Sequence, residues 1–252
     1  MAWKGTVGVP RSANAASSFH LGWEVPAGDW VAVEATLEVL ATPAVEALFF
    51  WALQVSFVDH GRQGGAGHLG LQWYPPHPGS TAVNWGGYGP DGRELSGSPS
   101  VLPSATGNVN TRDLAWQPGR AYRLRVAHGD HAAPAGATSW RGEVTDLVTG
   151  SVVIVRDLFA VGDRLSDPMV WSEVFARCDD PAVAVRWSDL RLRSADGEAH
   201  EVGRVRVNYQ TVADGGCVTT DVRLEGGGIV QATGTTRHTP PGAVVATSRH
   251  DR

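Results

Sequence analysis

The chain has 252 residues, with 26 acidic against 21 basic side chains and a formal net charge of -5. Nucleic acid and anionic membrane surfaces are bound by concentrated Lys and Arg. The charges here are spread without blocks, so neither is an expected partner. No apolar run approaches the roughly 20 residues that cross a bilayer, and the start Met1-Ala2-Trp3-Lys4-Gly5 lacks the charged region and long apolar stretch of a secretory signal. The expectation is a soluble protein, cytoplasmic or secreted with its signal removed, with the compartment left open.

Gly and Pro punctuate the sequence every eight to fifteen residues, and the runs between them are rich in Val, Leu, Trp and Thr. That is the signature of many antiparallel strands, and helical periodicity is nearly absent. In chain order the predicted strands cover 18–24, 31–39, 49–58, 67–74, 81–85, 121–127, 138–145, 151–159, 169–177 and 182–193, with shorter ones at 202–207 and in the tail. Side chains alternate across a strand. Phe49, Trp51, Leu53, Val55 and Phe57 therefore share one apolar face with Leu69, Leu71 and Trp73 of the next run, which follows a Gly-rich turn. Trp140, Trp187 and Trp85 also read as core. The Gly-, Ser- and Pro-rich stretch 86–119 reads as a long surface excursion and a lid, since long loops inside domains are often functional. Asp146-Leu147-Val148-Thr149-Gly150 and Pro90-Asp91-Gly92 have turn chemistry. From about Ser194 the composition becomes polar and glycine-rich. The expected organisation is a sandwich over 1–195 and an extension over 196–252 packing on or beside it, its last dozen residues mobile. Cys178 and Cys217 are either one disulfide, worth roughly 3–4 kcal/mol in the chain-entropy model, or two buried thiols.

Phe49-Phe50-Trp51-Ala52-Leu53-Gln54, His68-Leu69-Gly70-Leu71-Gln72, Trp140-Arg141-Gly142-Glu143-Val144 with Thr149-Gly150, and Val183-Ala184-Val185-Arg186-Trp187-Ser188-Asp189-Leu190 together resemble the concanavalin A-like lectin and glucanase superfamily. Within it, the pattern is similar to uncharacterised bacterial domains. The resemblance covers roughly residues 15–195 and implies an all-β fold, a jelly-roll sandwich of two antiparallel sheets whose concave face commonly binds glycans. Calcium is also common in that superfamily. The Glu-x-Asp-x-x-Glu strand of the glucanase branch is absent here, which removes the paired carboxylates, about 5–5.5 Å apart, of a retaining glycosidase. Fold-level analogy alone supplies no chemistry.

The residues themselves mark a polar surface. Alternation puts Gln54 and Ser56 beside His68, Gln72 and Tyr74, extended by Asn84 and by Arg123 or Arg125. Planar amides and rings grip sugar hydroxyls with paired hydrogen bonds, and Tyr88 in Asn84-Trp85-Gly86-Gly87-Tyr88 suits a stacking platform. Glu173, on a predicted strand with Trp171 on its own face, is an outlying candidate. A covered or simply solvated sheet face explains the same pattern. The main expectation is binding of carbohydrate or a related polar small molecule. A glycoside hydrolase or a polysaccharide lyase is the alternative, with His68, Tyr74 and Glu173 as catalytic candidates and Gln54 and Arg123 neutralising a uronate. A structural or protein-interaction sandwich is the third reading. No cofactor is expected. Asp59-His60 and Cys178-Asp179-Asp180-Pro181 offer far fewer than the six to eight oxygens a calcium ion takes, and no His pair sits on one element to support a transition metal.

Overall fold

The computed structural model describes residues 3–247. Its elements are sixteen strands, β1 (Ser17–Trp23), β2 (Trp30–Val39), β3 (Phe49–Asp59), β4 (Arg62–Trp73), β5 (Thr81–Tyr88), β6 (Thr111–Asp113), β7 (Ala121–His128), β8 (Thr138–Asp146), β9 (Val152–Ala160), β10 (Arg164–Val174), β11 (Val183–Ser194), β12 (Ala199–Glu201), β13 (Arg204–Tyr209), β14 (Thr220–Glu225), β15 (Gly228–Thr233) and β16 (Val244–Ala246). Every pairing is antiparallel. One layer, sheet I, runs β16-β13-β1-β10-β3-β4-β5-β6; the other, sheet II, runs β14-β15-β11-β2-β7-β8-β9. Among the described residues, the layers touch in hydrogen-bond register only at Leu165 and Trp30. This is the expected all-β sandwich.

Alternation builds the core. Trp51, Leu53, Val55 and Phe57 of sheet I meet Val33, Leu37, Leu124, Trp140 and Trp187 of sheet II in one buried cluster. Trp85 and Trp140 are fully buried and linked, Trp85 Nε1 donating to the Trp140 carbonyl at 3.1 Å. Two glycines permit this packing. A Cβ on Gly142 would lie 2.6 Å from the Trp85 ring, and one on Gly70 would lie 2.0 Å from the Trp51 carbonyl oxygen on the neighbouring strand.

Several boundaries differ from the sequence reading. The turn after β3 is His60-Gly61, both at positive φ, as the two central residues of a type I′ hairpin require. Arg62 to Ala66, expected in the Gly-rich turn, are thus already strand. The strand expected from 169 begins at Arg164, because a bulge between Ser166 and Met169 absorbs Asp167 and Pro168. The segment 86–119 is not a lid. Its first residues complete β5 and its end forms β6. Between them, Leu95 donates to Gly87, Phe159 to Ser96, and Ser98 to Asp157. Arg156 holds Val109 O and Asn110 Oδ1 at 3.0 and 2.9 Å. The segment therefore walls the side of the sandwich between β5 and β9.

The region after 195 supplies strands to both layers. β13 pairs with β1 and β16 in sheet I, while β15 pairs with β11 and β14 in sheet II. Cys178 and Cys217 form a disulfide with a Cα separation of 5.4 Å, which settles the alternative left open by the sequence. Among the described residues no helix is long and apolar enough to cross a membrane.

Candidate functional site

The outer face of sheet I is the alternate set of the strands that fill the core. On β3 it presents Phe50, Ala52, Gln54 and Ser56. The register sets His68 and Met169 opposite Gln54, Gly70 and Trp171 opposite Ala52, and Gln72 and Glu173 opposite Phe50. One strand further out, Ser18 faces Glu173 and His20 faces Trp171, with Asn208 beyond His20. On the other flank Asn84 lies beside Gly70, and Tyr88 beside Ala66.

The floor of this face packs tightly. Phe50 and Trp171 are 5% and 6% exposed and form a second apolar cluster with Ala52 and Met169, separate from the core. Their rings meet edge to face at 4.9 Å, a favoured aromatic geometry. The Trp171 indole N–H donates to Gln54 Oε1 at 3.0 Å, so the carbonyl end of that amide is engaged and the orientation of its NH2 end is fixed. Two imidazoles flank the indole, His20 at 6.2 Å and His68 at 6.0 Å between ring centroids. His68 in turn lies 6.1 Å from the Tyr88 ring, which is 49% exposed. Burial penalises the charged form of both histidines. It lowers the pKa of His20 and pushes that of His68 down to about 4. Both rings are consequently neutral near pH 7, each with one donor and one acceptor nitrogen.

At the other end of the floor stands Glu173. Burial raises its pKa above the usual carboxylate range, opposed in part by a hydrogen bond from Asn14 Nδ2 to Glu173 Oε1 at 2.8 Å. Gln54 and Glu173 are four residues apart in register on paired strands, which at 3.3 Å per residue separates them by about 13 Å. The sheet positions immediately flanking Gln54 are His68, Met169, Ala52 and Ser56, none of them a carboxylate.

The remaining expected residues divide. Ser56 and Gln72 lie on the face and are buried, with Ser56 accepting from Gln63 Nε2 at 3.2 Å. Asn84 is on the face near its edge, its Nδ2 donating to Thr111 Oγ1 at 2.8 Å while its buried Oδ1 has no partner among the described residues. Tyr74 does not join Gln54 and His68. β4 ends at Trp73, and the Tyr74 ring turns to His77 at 5.5 Å. Arg123 is also misplaced by the sequence reading. It sits on β7 opposite Thr36 and Thr145, in sheet II. Arg125 is on the same strand, between Glu34 at 3.0 Å and Glu143 at 2.9 Å. The cause is topological, since alternation within β7 says nothing about which layer the strand joins. In the loops considered for calcium, Asp179 Oδ1 accepts from the Gly8 N–H and Asp180 Oδ2 from the Arg177 N–H, both at 2.8 Å. No group of three or more His, Cys, Asp or Glu gathers as a metal set among the described residues.

Phe50, His20, Met169 and Asn14 are not among the site residues expected from the sequence. For Phe50 and His20 a signal exists, because strict alternation along 49–57 and 18–24 already sets them on the polar side. Asn14 has none, lying in an arm whose path depends on contacts far along the chain.

No family model and no curated protein matches the sequence. Among solved structures, the chain is similar to scytalido-glutamic peptidase in a structure with a peptide-based transition-state analogue. The identity is 14% and the TM-score 0.44, with 90% of this chain and 99% of that one covered. It is also similar to SCP-B, a member of the eqolisin family of peptidases, in a complex with the tripeptide Ala-Ile-His. There the identity is 15% and the TM-score 0.45, over the same shares of the two chains.

Proposed function

We propose that the outer face of sheet I binds an uncharged carbohydrate chain, which stacks on Tyr88 above the packed floor of Phe50 and Trp171 and is hydrogen-bonded by Gln54, His68 and His20. The observation that carries this reading is the Trp171-to-Gln54 hydrogen bond between two neutral imidazoles. Flat rings with donors and acceptors at their edges match the alternating C–H faces and hydroxyls of a pyranose. With both imidazoles neutral, the Trp171 end of the floor carries no cation, so an anionic ligand would lose its hydration there with no counter-charge in return. Tyr88 at the rim supplies exposed stacking surface.

A second reading is hydrolysis of the bound chain, and one observation favours it: the raised pKa of Glu173, a property of general acids. Against it stands the lack of a second carboxyl on the sheet positions beside Glu173, which are Ser18 and Phe50. The test is a screen of neutral oligosaccharides, uronates and an unstructured peptide against the wild-type protein and Gln54→Ala. Affinity and product release are read in the same samples. Binding of neutral glycans without products, weakened in the variant, supports the proposal. Products that vanish in Glu173→Gln make the protein a hydrolase, and binding confined to the uronates or the peptide overturns the carbohydrate reading.

A further inference from the structure

The arm before β1 reaches the binding face by an unusual route. Gly8 is pinned on both sides, its N–H to Asp179 Oδ1 at 2.8 Å and its carbonyl to the Cys178 N–H at 2.9 Å. Arg11 N–H donates to Gly215 O at 2.9 Å, and Val218 N–H to Gly5 O at 2.8 Å. Both loops that grip the arm carry a half of the Cys178–Cys217 disulfide. The arm then makes a turn in which Ala15 donates to Ser12 O at 3.0 Å and adopts φ 60. That left-handed conformation costs a residue with a Cβ on the order of 1 kcal/mol. Within this turn Asn14 Oδ1 accepts from Ala16 N–H at 3.2 Å and lies 2.9 Å from Ser12 Oγ, whose one hydrogen it shares with the Ala16 carbonyl at 2.6 Å. The carboxamide is therefore held with its NH2 aimed at Glu173 Oε1, 2.8 Å away, although the Asn14 residue is itself exposed.

A strained turn that presents an amide to the Glu173 carboxyl at the end of the binding floor has the form of a ligand supplied by the chain itself. We infer that Glu173 is a subsite for the N–H of an acetamido group on the bound sugar, and that Asn14 occupies this subsite until the ligand displaces it. The amide N–H is the shared chemistry, so a peptide bond could also present it. The acetamido sugar is the commitment here because the inference rests on the carbohydrate reading. The subsite is contiguous with the rest of the floor, since Glu173 pairs opposite Phe50 and the Phe50 ring lies against both Trp171 and His68. An acetamido N–H would replace the bond from Asn14 one for one, and the arm would leave by opening a turn that is already strained.

The test follows the side-chain carboxyl resonance of Glu173, in protein carrying 13C-labelled glutamate, during titration with N-acetylglucosamine, glucose and N-methylacetamide. Wild type is compared with Asn14→Ala, and Glu173→Gln assigns the signal. The expected result is a saturable shift with N-acetylglucosamine, reached at least fivefold lower in concentration in Asn14→Ala, and no shift with glucose. Equal responses in the two proteins, no response in either, or a response to N-methylacetamide but not to the acetamido sugar would each overturn the inference. Gln54→Ala separates the two proposals. If that variant binds neutral glycans as tightly as wild type while Glu173 still answers the acetamido sugar, the Gln54-centred reading has failed and the subsite stands.

Discussion

Trp171 joins more of the site than any other single residue, since its ring packs on Phe50 and two imidazoles while its indole N–H orients Gln54. Trp171→Phe keeps most of the ring and deletes the donor. A half-buried Gln54 carbonyl without its partner costs about 1–2 kcal/mol, and a released amide costs affinity in addition. The expected result is a glycan affinity lower by about tenfold, equivalent to 1.4 kcal/mol, in a protein that still folds; calorimetric titration and a melting curve check both halves. His68 gives a pH signature. Its pKa is about 4 in the folded protein against 6.5 in the unfolded chain, so between those values the unfolded chain binds a proton that the folded chain refuses. By linkage, stability falls as pH drops from 6.5 to 4 and is unaffected by this group above 6.5. An NMR titration of the His68 ring should show its midpoint near 4, and a midpoint of 6 or above would contradict the packed floor.

At the scale of elements, β3 and β4 meet so closely that only glycine fits at position 70, where an added methyl would lie 2.0 Å from a backbone oxygen. Gly70→Ala must separate the two strands that carry Gln54 and His68. The expected loss is about 1–3 kcal/mol, typical of overpacking, and it should be visible in chemical denaturation together with weakened binding. Alternation made the inner and outer faces of β3 and β4 readable from sequence, which is why the grouping of Gln54, Ser56, His68 and Gln72 agrees with the structure. It failed for Tyr74, one residue past the strand end, and for Arg123, whose layer is set by long-range pairing to β2 and β8. The short strands β6, β12 and β16 have three residues each, too few for a period-two pattern to register. The bulge at Asp167 hid the first half of β10 because Asp-Pro reads locally as a turn.

For the whole molecule, the extension after 195 contributes strands to both sheets, so the core cannot close without it. Truncation after 195 would leave the outer edge of β1 and part of β11 unpaired, and exposed strand edges of this kind aggregate. The expected result is insoluble protein, and a cooperative melt from the fragment 1–195 would contradict the pairing seen here. The disulfide spans a sequence separation of 39, for which the chain-entropy model gives roughly 4 kcal/mol. Replacing both cysteines by serine should lower stability by a few kcal/mol, measured by urea unfolding, and should also loosen the arm that ends at Asn14.

The central claim is that the outer face of sheet I holds an uncharged glycan through Gln54 and the rings around it. Its most direct test is calorimetric titration of a neutral oligosaccharide into wild type and Gln54→Ala at pH 7. The account predicts saturable binding by the wild type and a loss of about tenfold or more in the variant. Equal affinity in the two proteins, or no heat of binding with any neutral glycan, would contradict it.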